Sequence, residues 1–257
     1  MRSVRDMMGN DILIPHRPKK IISLVPSISE TLGDYQLDSE TIGITKFCIH
    51  PKQWFESKTR IGGTKDPKLE LIASLEPDLI IGNKEENRKE DIEWLQQRFP
   101  VYVSDVNNLE DNETFLRFID SLTSFKPELR NFTAPCPAVR QAKSVLYLIW
   151  KGPWMGVASN TYIDRVMAEL NFSNSLVQDQ RYPELDLAKM EALQPDYVFY
   201  SSEPFPFQEK HMEELKTILP NSQHILVDGE CFSWFGLRWA KSFPYFQSLI
   251  EHIEKNI

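Results

Sequence analysis

The stretch Leu75-Glu76-Pro77-Asp78-Leu79-Ile80-Ile81 decides the fold, because the second half of the chain holds a near copy, Leu193-Gln194-Pro195-Asp196-Tyr197-Val198-Phe199. In each copy a segment with helical periodicity stops at a proline, and an apolar run rich in strand-forming residues follows. Proline disfavours helical geometry in the residue before it. Each copy therefore predicts a helix, a turn and a buried strand.

A second matching segment precedes each copy, at residues 20–24 and 143–147. Both segments predict strands that lead towards a helix, and such alternation is typical of parallel sheets with helices on their faces. One such proline turn alone is a common helix-to-strand connection, whereas two copies in matching units favour a repeated α/β lobe. Two lobes leave a cleft, and clefts between domains are where small ligands usually bind.

The predicted organisation is an N-terminal α/β lobe over residues 1–122, a linker over 123–143 and a C-terminal α/β lobe over 144–257. The linker is expected to be only partly helical, because Pro135 and Pro137 must interrupt a helix. The first ~20 residues contain Gly9-Asn10 and predict a short hairpin that covers the first lobe.

Composition narrows the possible functions. The 257 residues carry a net charge of −8, which argues against a nucleic-acid partner. No apolar run approaches the ~18 residues that a membrane-spanning helix needs, so the protein is not expected to insert into a bilayer. The first residues lack the apolar core of a secretory signal. This predicts a cytoplasmic chain if it is native as written, or a mature form from which a signal has been trimmed.

The loops after the predicted strands are rich in aromatic residues. Ligands of open parallel sheets collect beyond the carboxyl ends of the strands, so these rings could stack on a flat or bulky ligand. They could equally cap the sheet ends, and the charge run at residues 84–91 could be a solvated helix start. The candidate ligand-binding residues from this pattern are the aromatic Phe47, Trp54, Trp150, Trp154 and Trp234 and the charged Glu86, Arg88, Glu203 and Arg238.

A metal site is a further candidate. Cys48 and His50 lie in a loop of one lobe and Glu230 in a loop of the other, and together they could offer thiolate, imidazole and carboxylate to one metal ion. No sequence spacing enforces that meeting. The Walker A, dinucleotide-binding, HExxH and GxSxG signatures of common enzyme classes do not occur in the sequence.

Several segments in order resemble one known family. Residues 19–30, Gly43-Ile44-Thr45, Gly62-Gly63-Thr64 and the stretch from Leu69 to Ile80 are similar to the helical-backbone metal receptor superfamily. These are the substrate-binding proteins of vitamin B12, haem and iron–siderophore ABC importers. The likeness is greatest for the cobalamin-binding branch and extends to Tyr182-Pro183-Glu184 and to residues 228–234.

The resemblance implies a class III periplasmic-binding-protein fold, with two Rossmann-like lobes joined by a helix and the ligand held between them. By position, Phe47 resembles an aromatic residue that lines the cobalamin cleft. Asn83, Tyr182 and Cys231 fall at or near positions where that branch has tryptophan. Glu70 matches the carboxylate that docks the first lobe onto the permease, and Glu184 lies close to its counterpart in the second lobe.

The sequence therefore predicts a noncatalytic, monomeric binding protein for a corrinoid, haem or ferric siderophore, without a covalent cofactor. It would serve an ABC permease from the periplasm if the family role holds. The alternatives are a cytosolic corrinoid- or metal-handling protein and a metal-dependent enzyme that reuses the fold.

Overall fold

The computed structural model describes residues 1–255, and these form two compact units. The first unit comprises Met1–Val106, Glu110–Phe132 and Phe235–Arg238, and the second comprises Asn107–Leu109, Thr133–Trp234 and the chain from Trp239 onward. Compared with the predicted domains, the first unit also takes residues 123–132 and a short return segment from late in the chain.

The first unit opens with the predicted hairpin, in which two antiparallel strands pair Arg2 with Ile14 and Arg5 with Asp11. Helices and strands then alternate, as the repeated pattern predicts. The elements are β1 (Arg2–Arg5), β2 (Asp11–Ile14), β3 (Ile21–Ser23), α1 (Pro26–Asp34), β4 (Thr41–Ile44), α2 (Lys52–Ser57), β5 (Thr59–Arg60), α3 (Leu69–Ser74), β6 (Leu79–Asn83), α4 (Lys89–Gln96), β7 (Val101–Ser104) and α5 (Leu109–Asp120).

The main sheet of this unit has the strand order β5-β4-β3-β6-β7, and all four pairings are parallel. Every residue of β6 and β7 is buried, as expected when helices cover both faces of a sheet. From the neighbouring strands β3 and β6 the chain continues to opposite edges. Their carboxyl ends form the topological switch point where open α/β sheets bind ligands.

The second unit repeats this alternation of strands and helices, with additional short strands inserted after its first strand. Its elements are β8 (Lys143–Trp150), β9 (Trp154–Gly156), α6 (Tyr162–Glu169), β10 (Phe172–Asn174), β11 (Glu184–Leu185), α7 (Leu187–Leu193), β12 (Tyr197–Ser201), α8 (Glu209–Ile218), β13 (Gln223–Val227), α9 (Gly229–Ser233), α10 (Arg238–Lys241, which begins in the first unit) and α11 (Phe243–Lys255).

The sheet of the second unit is mixed, because antiparallel strands are added to the predicted parallel ones. Strands β10, β8, β12 and β13 are parallel, whereas β9 turns back on β8 and pairs antiparallel with both β8 and β11. The reversal occurs within the short Lys151-Gly152-Pro153 connection, which is too short for a parallel crossover. Strands β8 and β12 form the switch point of this unit.

The two proline turns have the same structure, which confirms the repeat. The Asp78 carboxylate accepts the backbone N–H groups of Lys19 and Lys20 at 2.8 and 3.0 Å. The Asp196 carboxylate accepts both the N–H and the hydroxyl of Ser144 at 2.7 Å. Each aspartate thus ties the start of the central strand to the start of its neighbour.

The linker joins the first unit through ion pairs, one of which links Lys126 to Asp120 at 2.5 Å. A 3-10 helix at Glu128–Asn131 presents Arg130, which binds Glu113 through two nitrogens at 2.6 and 2.8 Å and Asp120 at 3.0 Å. Residues 132–142, which include Pro135 and Pro137, form no helix. The linker is therefore helical only in this short segment.

The return segment Phe235–Arg238 packs within the first unit. Gly236 exchanges two hydrogen bonds with the Asn112 amide, at 2.6 and 3.2 Å. Gly236 has a φ of +87°, and a Cβ there would lie 2.0 Å from the Thr31 hydroxyl oxygen. Glycine is required at this position because a side chain would both strain the backbone and clash.

Candidate functional site

In the first unit, the candidate Phe47 lies in the loop that follows β4. Its side chain is 52% exposed, and the Lys46 ammonium sits 5.0 Å from the ring centroid. A large exposed ring on a loop beyond a parallel strand is available for stacking on a ligand.

The charged candidates of this unit follow β6. Glu86 and Arg88 are both exposed to solvent. Desolvation raises the pKa of the Glu86 carboxyl, the positive charge of Lys65 opposes that rise, and Glu85 adds to it. Both charged side chains are accessible to a ligand.

Three other candidates of this unit are largely buried, and their polar groups bond to neighbouring protein groups. Asn83 is 3% exposed and holds the turn that carries Glu85 and Glu86. Trp54 is 1% exposed and donates from Nε1 to Asp38 at 2.6 Å, because the chain forms helix α2 where a loop was expected. Arg238 forms a 2.9 Å ion pair with Glu30 in which the two side chains are 14% and 8% exposed. Trp54 is therefore a core residue and is not accessible for ligand binding.

The Cys48 thiol is buried within the first unit. Its sulfur lies 3.0 Å from the Ser29 hydroxyl and 3.1 Å from the Thr45 hydroxyl. Burial raises the pKa of this thiol, although both hydrogen bonds oppose the rise. A buried thiol of raised pKa is a poor metal ligand, because the metal binds the thiolate.

His50 lies in the same loop of the first unit and is partly exposed, while Glu230 lies at the start of α9 in the second unit. Within residues 1–255, no group of three or more His, Cys, Asp and Glu side chains is placed to hold a metal ion. The predicted set of Cys48, His50 and Glu230 therefore gains no support from the structure.

In the second unit, Trp150 ends β8 and is 39% exposed. Its ring meets Phe205, on the loop after β12, edge-to-face at 5.6 Å. The Phe205 backbone N–H donates to the Ile149 carbonyl at 3.3 Å. The loops that follow the two switch-point strands are thus joined, and they present an accessible indole.

Trp154, by contrast, belongs to the core of this unit. Its side chain is 7% exposed and packs in a cluster with residues of β8, β12 and α8. The ring stacks on Phe207 at 6.0 Å, and the Lys151 ammonium lies 4.7 Å from its centroid. The expectation that Trp154 grips a ligand is replaced by a packing role.

The carboxylate of Glu203 has a fixed position after β12. Its Oε1 accepts the indole N–H of Trp234 at 2.7 Å and the hydroxyl of Ser233 at 2.9 Å. Trp234 is 7% exposed, so this predicted ligand-binding ring instead orients a neighbouring carboxylate. Gly229 allows the approach, because a Cβ there would lie 2.7 Å from Glu203 Cγ.

The remaining candidates differ in accessibility. Cys231 is 6% exposed, its backbone N–H within 3.4 Å of the Asp228 carboxylate that caps α9. Tyr182 is partly exposed, with the Arg181 guanidinium 5.9 Å from its ring. The docking candidates Glu70, in the first turn of α3, and Glu184, in β11, are both exposed.

One functional candidate was missed by the sequence reasoning. Asn87, inside the charge run 84–91, is 7% exposed and forms three side-chain hydrogen bonds to neighbouring loops. An asparagine among seven charged residues was the available signal, since asparagine favours local turns over solvated helix faces.

Comparison with known proteins identifies the fold. No protein-family model matches the chain. A vitamin B12-binding protein of Vibrio campbellii is 26% identical over 71% of this chain and 70% of its own length. The crystal structure of the periplasmic vitamin B12-binding protein of Vibrio cholerae superimposes with a TM-score of 0.74 at 16% identity, covering 94% of this chain and all of the other.

The fold is that of the class III periplasmic binding proteins. A periplasmic haem-binding protein of Pseudomonas aeruginosa supports the same assignment, with a TM-score of 0.72 at 17% identity over 91% of this chain and 92% of its own. The resemblance to the helical-backbone metal receptors is confirmed. Among the described residues of this class III fold, no helix is long and apolar enough to cross a membrane.

Proposed function

We propose that the protein is a noncatalytic binding protein that holds a metal chelate, namely a corrinoid, haem or ferric siderophore, for an ABC-type importer. The fold and the names of its relatives, which include proteins that bind vitamin B12 and haem, support this role. A binding protein needs shape and orienting groups rather than a reactive nucleophile or acid–base pair.

One observation carries the proposal: each unit presents an accessible aromatic ring and a carboxylate on loops beyond its central strands. The first unit presents Phe47 and Glu86, and the second presents Trp150 and Glu203. Aromatic faces suit a flat macrocycle or a bulky chelate. Carboxylates on these loops can accept hydrogen bonds from amide or hydroxyl groups on its periphery.

The test is a fluorescence titration with cyanocobalamin, haemin and ferric citrate, corrected for inner-filter absorption. We expect saturable quenching by one chelate at micromolar concentration or below, and about tenfold weaker binding for Phe47→Ala and for Trp150→Ala, or about 1.4 kcal/mol each. Phe55→Ala is the matched control, since this ring is 37% exposed on α2 of the first unit. Failure of all three chelates to bind, or an equal loss in the control, would refute the proposal.

For the importer partner, we propose that Glu70 and Glu184 dock onto the permease. Both carboxylates are exposed, so charge reversal should leave the fold and chelate affinity intact. Glu70→Arg and Glu184→Arg should each reduce cellular uptake of the labelled chelate, whereas reversal of the exposed Glu93 should not. Unchanged uptake in both variants would exclude these residues from docking.

We further propose that the protein works as a monomer outside the cytoplasm. The relatives include a protein named as periplasmic and others named as lipoproteins. Light scattering should give the mass of one 30.0 kDa chain, and cell fractionation should recover the protein with the envelope. A stable dimer or a cytosolic location would contradict this assignment.

A further inference from the structure

Two buried asparagines lie at the switch point of the first unit. Asn83 and Asn87 are 3% and 7% exposed; Asn83 ends the central strand β6 and Asn87 lies four residues beyond it. Buried amides cost free energy unless their donors and acceptors are paired, so their partners indicate what they do.

The Asn87 side chain joins three loops. Its Oδ1 accepts the Asn83 backbone N–H at 2.8 Å, and its Nδ2 donates to the Leu24 carbonyl at 3.3 Å and the Thr64 carbonyl at 3.1 Å. Leu24 follows β3, Thr64 lies in the turn after β5, and Asn83 ends β6. One amide thereby fixes the spacing of three loops at the carboxyl edge of the sheet.

The Asn83 side chain adds a fourth loop. Its Nδ2 lies 3.3 Å from the Ser104 carbonyl and 3.1 Å from the Ser104 hydroxyl, at the end of β7. Its Oδ1 accepts the backbone N–H groups of Glu85 and Glu86 at 2.9 and 3.1 Å. The backbone that carries the Glu86 carboxylate is thus held by a side chain that is almost inaccessible to solvent.

The Asn87 amide packs so closely against Gly82 that no side chain fits at position 82. A Cβ on Gly82 would lie 2.8 Å from Asn87 Oδ1, closer than non-bonded atoms approach. Aspartate at position 87 would lose both donors and bury a charge, and leucine would leave the Leu24 and Thr64 carbonyls without this partner.

The turn that Asn87 binds also contacts the exposed ring of Phe47. Thr64 follows Gly63, and a Cβ on Gly63 would lie 3.3 Å from Phe47 Cε2. The Phe47 ring therefore rests on the turn that Asn87 secures. Displacement of that turn would remove the support of the ring.

We propose that Asn87, together with Asn83, is a positioning residue that preorganises Phe47 and Glu86 for the chelate without contacting it. This inference rests on the proposed function. Loops fixed before binding need not be ordered at the expense of affinity.

The experiment compares Asn87→Ala and Asn87→Asp with Ile119→Ala, a substitution of a fully buried α5 residue of the same unit. Both the deleted amide and the core cavity destabilise the unit. Chelate affinity is measured by fluorescence titration with cyanocobalamin, haemin and ferric citrate, and amide hydrogen exchange is followed residue by residue under native conditions.

We expect both Asn87 variants to bind at least tenfold more weakly and to exchange the Glu85 and Glu86 amides at least tenfold faster. Ile119→Ala should keep its affinity within twofold despite a lower Tm. Equal affinity loss in the control, or unchanged exchange at Glu85 and Glu86, would overturn the positioning role. A wild type that binds no chelate would refute the proposed function, and the exchange data would then decide the positioning role alone.

Discussion

The indole N–H of Trp234 donates to Glu203 Oε1 over 2.7 Å, so a ring that is almost inaccessible to solvent sets the direction of a carboxylate. Trp234→Phe keeps an aromatic ring and removes the donor. We expect the free energy of unfolding to fall by about 1–3 kcal/mol, as for a hydrogen bond to a charged acceptor, and chelate affinity to fall about tenfold.

Thermal unfolding and the fluorescence titration measure these two effects. The control is Trp239→Phe, which changes a partly buried indole beyond the return segment. If Trp234→Phe bound the chelate as tightly as the wild type, Glu203 would need no orientation by the indole.

Glycine substitutions in the two proline turns should raise the stability of the protein. Glu76 and Gln194 both have left-handed backbones, with φ of 50° and 41°, and this conformation costs an L-residue roughly 1–2 kcal/mol. Glycine relieves the strain but adds disorder to the unfolded chain, so Glu76→Gly and Gln194→Gly should each stabilise by about 0.5–1 kcal/mol. Alanine at either position should give no such gain in denaturant unfolding, and a loss with glycine would disprove the strain.

Two tryptophans should act on stability rather than on binding. Trp54 and Trp154 are 1% and 7% exposed. Replacement of a buried tryptophan by alanine typically costs about 3–5 kcal/mol, and replacement by phenylalanine should cost less. We therefore expect Trp54→Phe and Trp154→Phe to unfold at lower denaturant concentration while the folded protein binds the chelate normally. Weaker binding by the folded Trp154→Phe variant would restore Trp154 to the site.

The Arg130 network predicts a pH dependence of stability. A hydrogen bond from Arg130 lowers the pKa of Glu113. Burial raises the pKa of Asp120, but hydrogen bonds from Lys126, Tyr35 and Arg130 outweigh it and lower the value. Because both folded-state values lie below the unfolded ones, the stabilisation is complete above about pH 5 and is lost as the pH falls below about 4.

Arg130→Met should remove about 1–2 kcal/mol at pH 7, a value reduced by the partial exposure of the network. It should also flatten the loss of stability between pH 5 and pH 3, measured by denaturant unfolding at each pH. Arg140→Met is the control, since the Arg140 side chain is 91% exposed in its pair with Glu254. A parallel pH profile for Arg130→Met and wild type would contradict the assignment.

The local pattern was sufficient to predict the repeat. Proline after a helical segment, followed by an apolar run, specifies a helix, a turn and a buried strand from neighbours in sequence alone. The structure adds that Asp78 and Asp196 occupy equivalent positions and bind the start of the adjacent strand. The aspartate of each copy therefore does more than form the turn, because it also holds two neighbouring strands together.

The site was harder to predict, because tertiary packing decides which aromatic rings remain accessible. Trp54 and Phe47 follow the same strand, yet helix α2 buries one while the other is 52% exposed. Asn83 and Asn87 take their roles from carbonyl groups on other loops, as in the bond to Leu24 across 63 residues. Contacts between residues so far apart in the sequence cannot be predicted from the spacing of residue types.

Calorimetric titration of the purified protein with the chelate that quenches its fluorescence tests directly whether the protein binds a metal chelate without transforming it. We expect one binding site of micromolar or tighter affinity, recovery of the chelate chemically unchanged, and at least a hundredfold loss of affinity in the double variant Phe47→Ala, Trp150→Ala. Normal affinity in that folded double variant, or conversion of the chelate to a product, would contradict it.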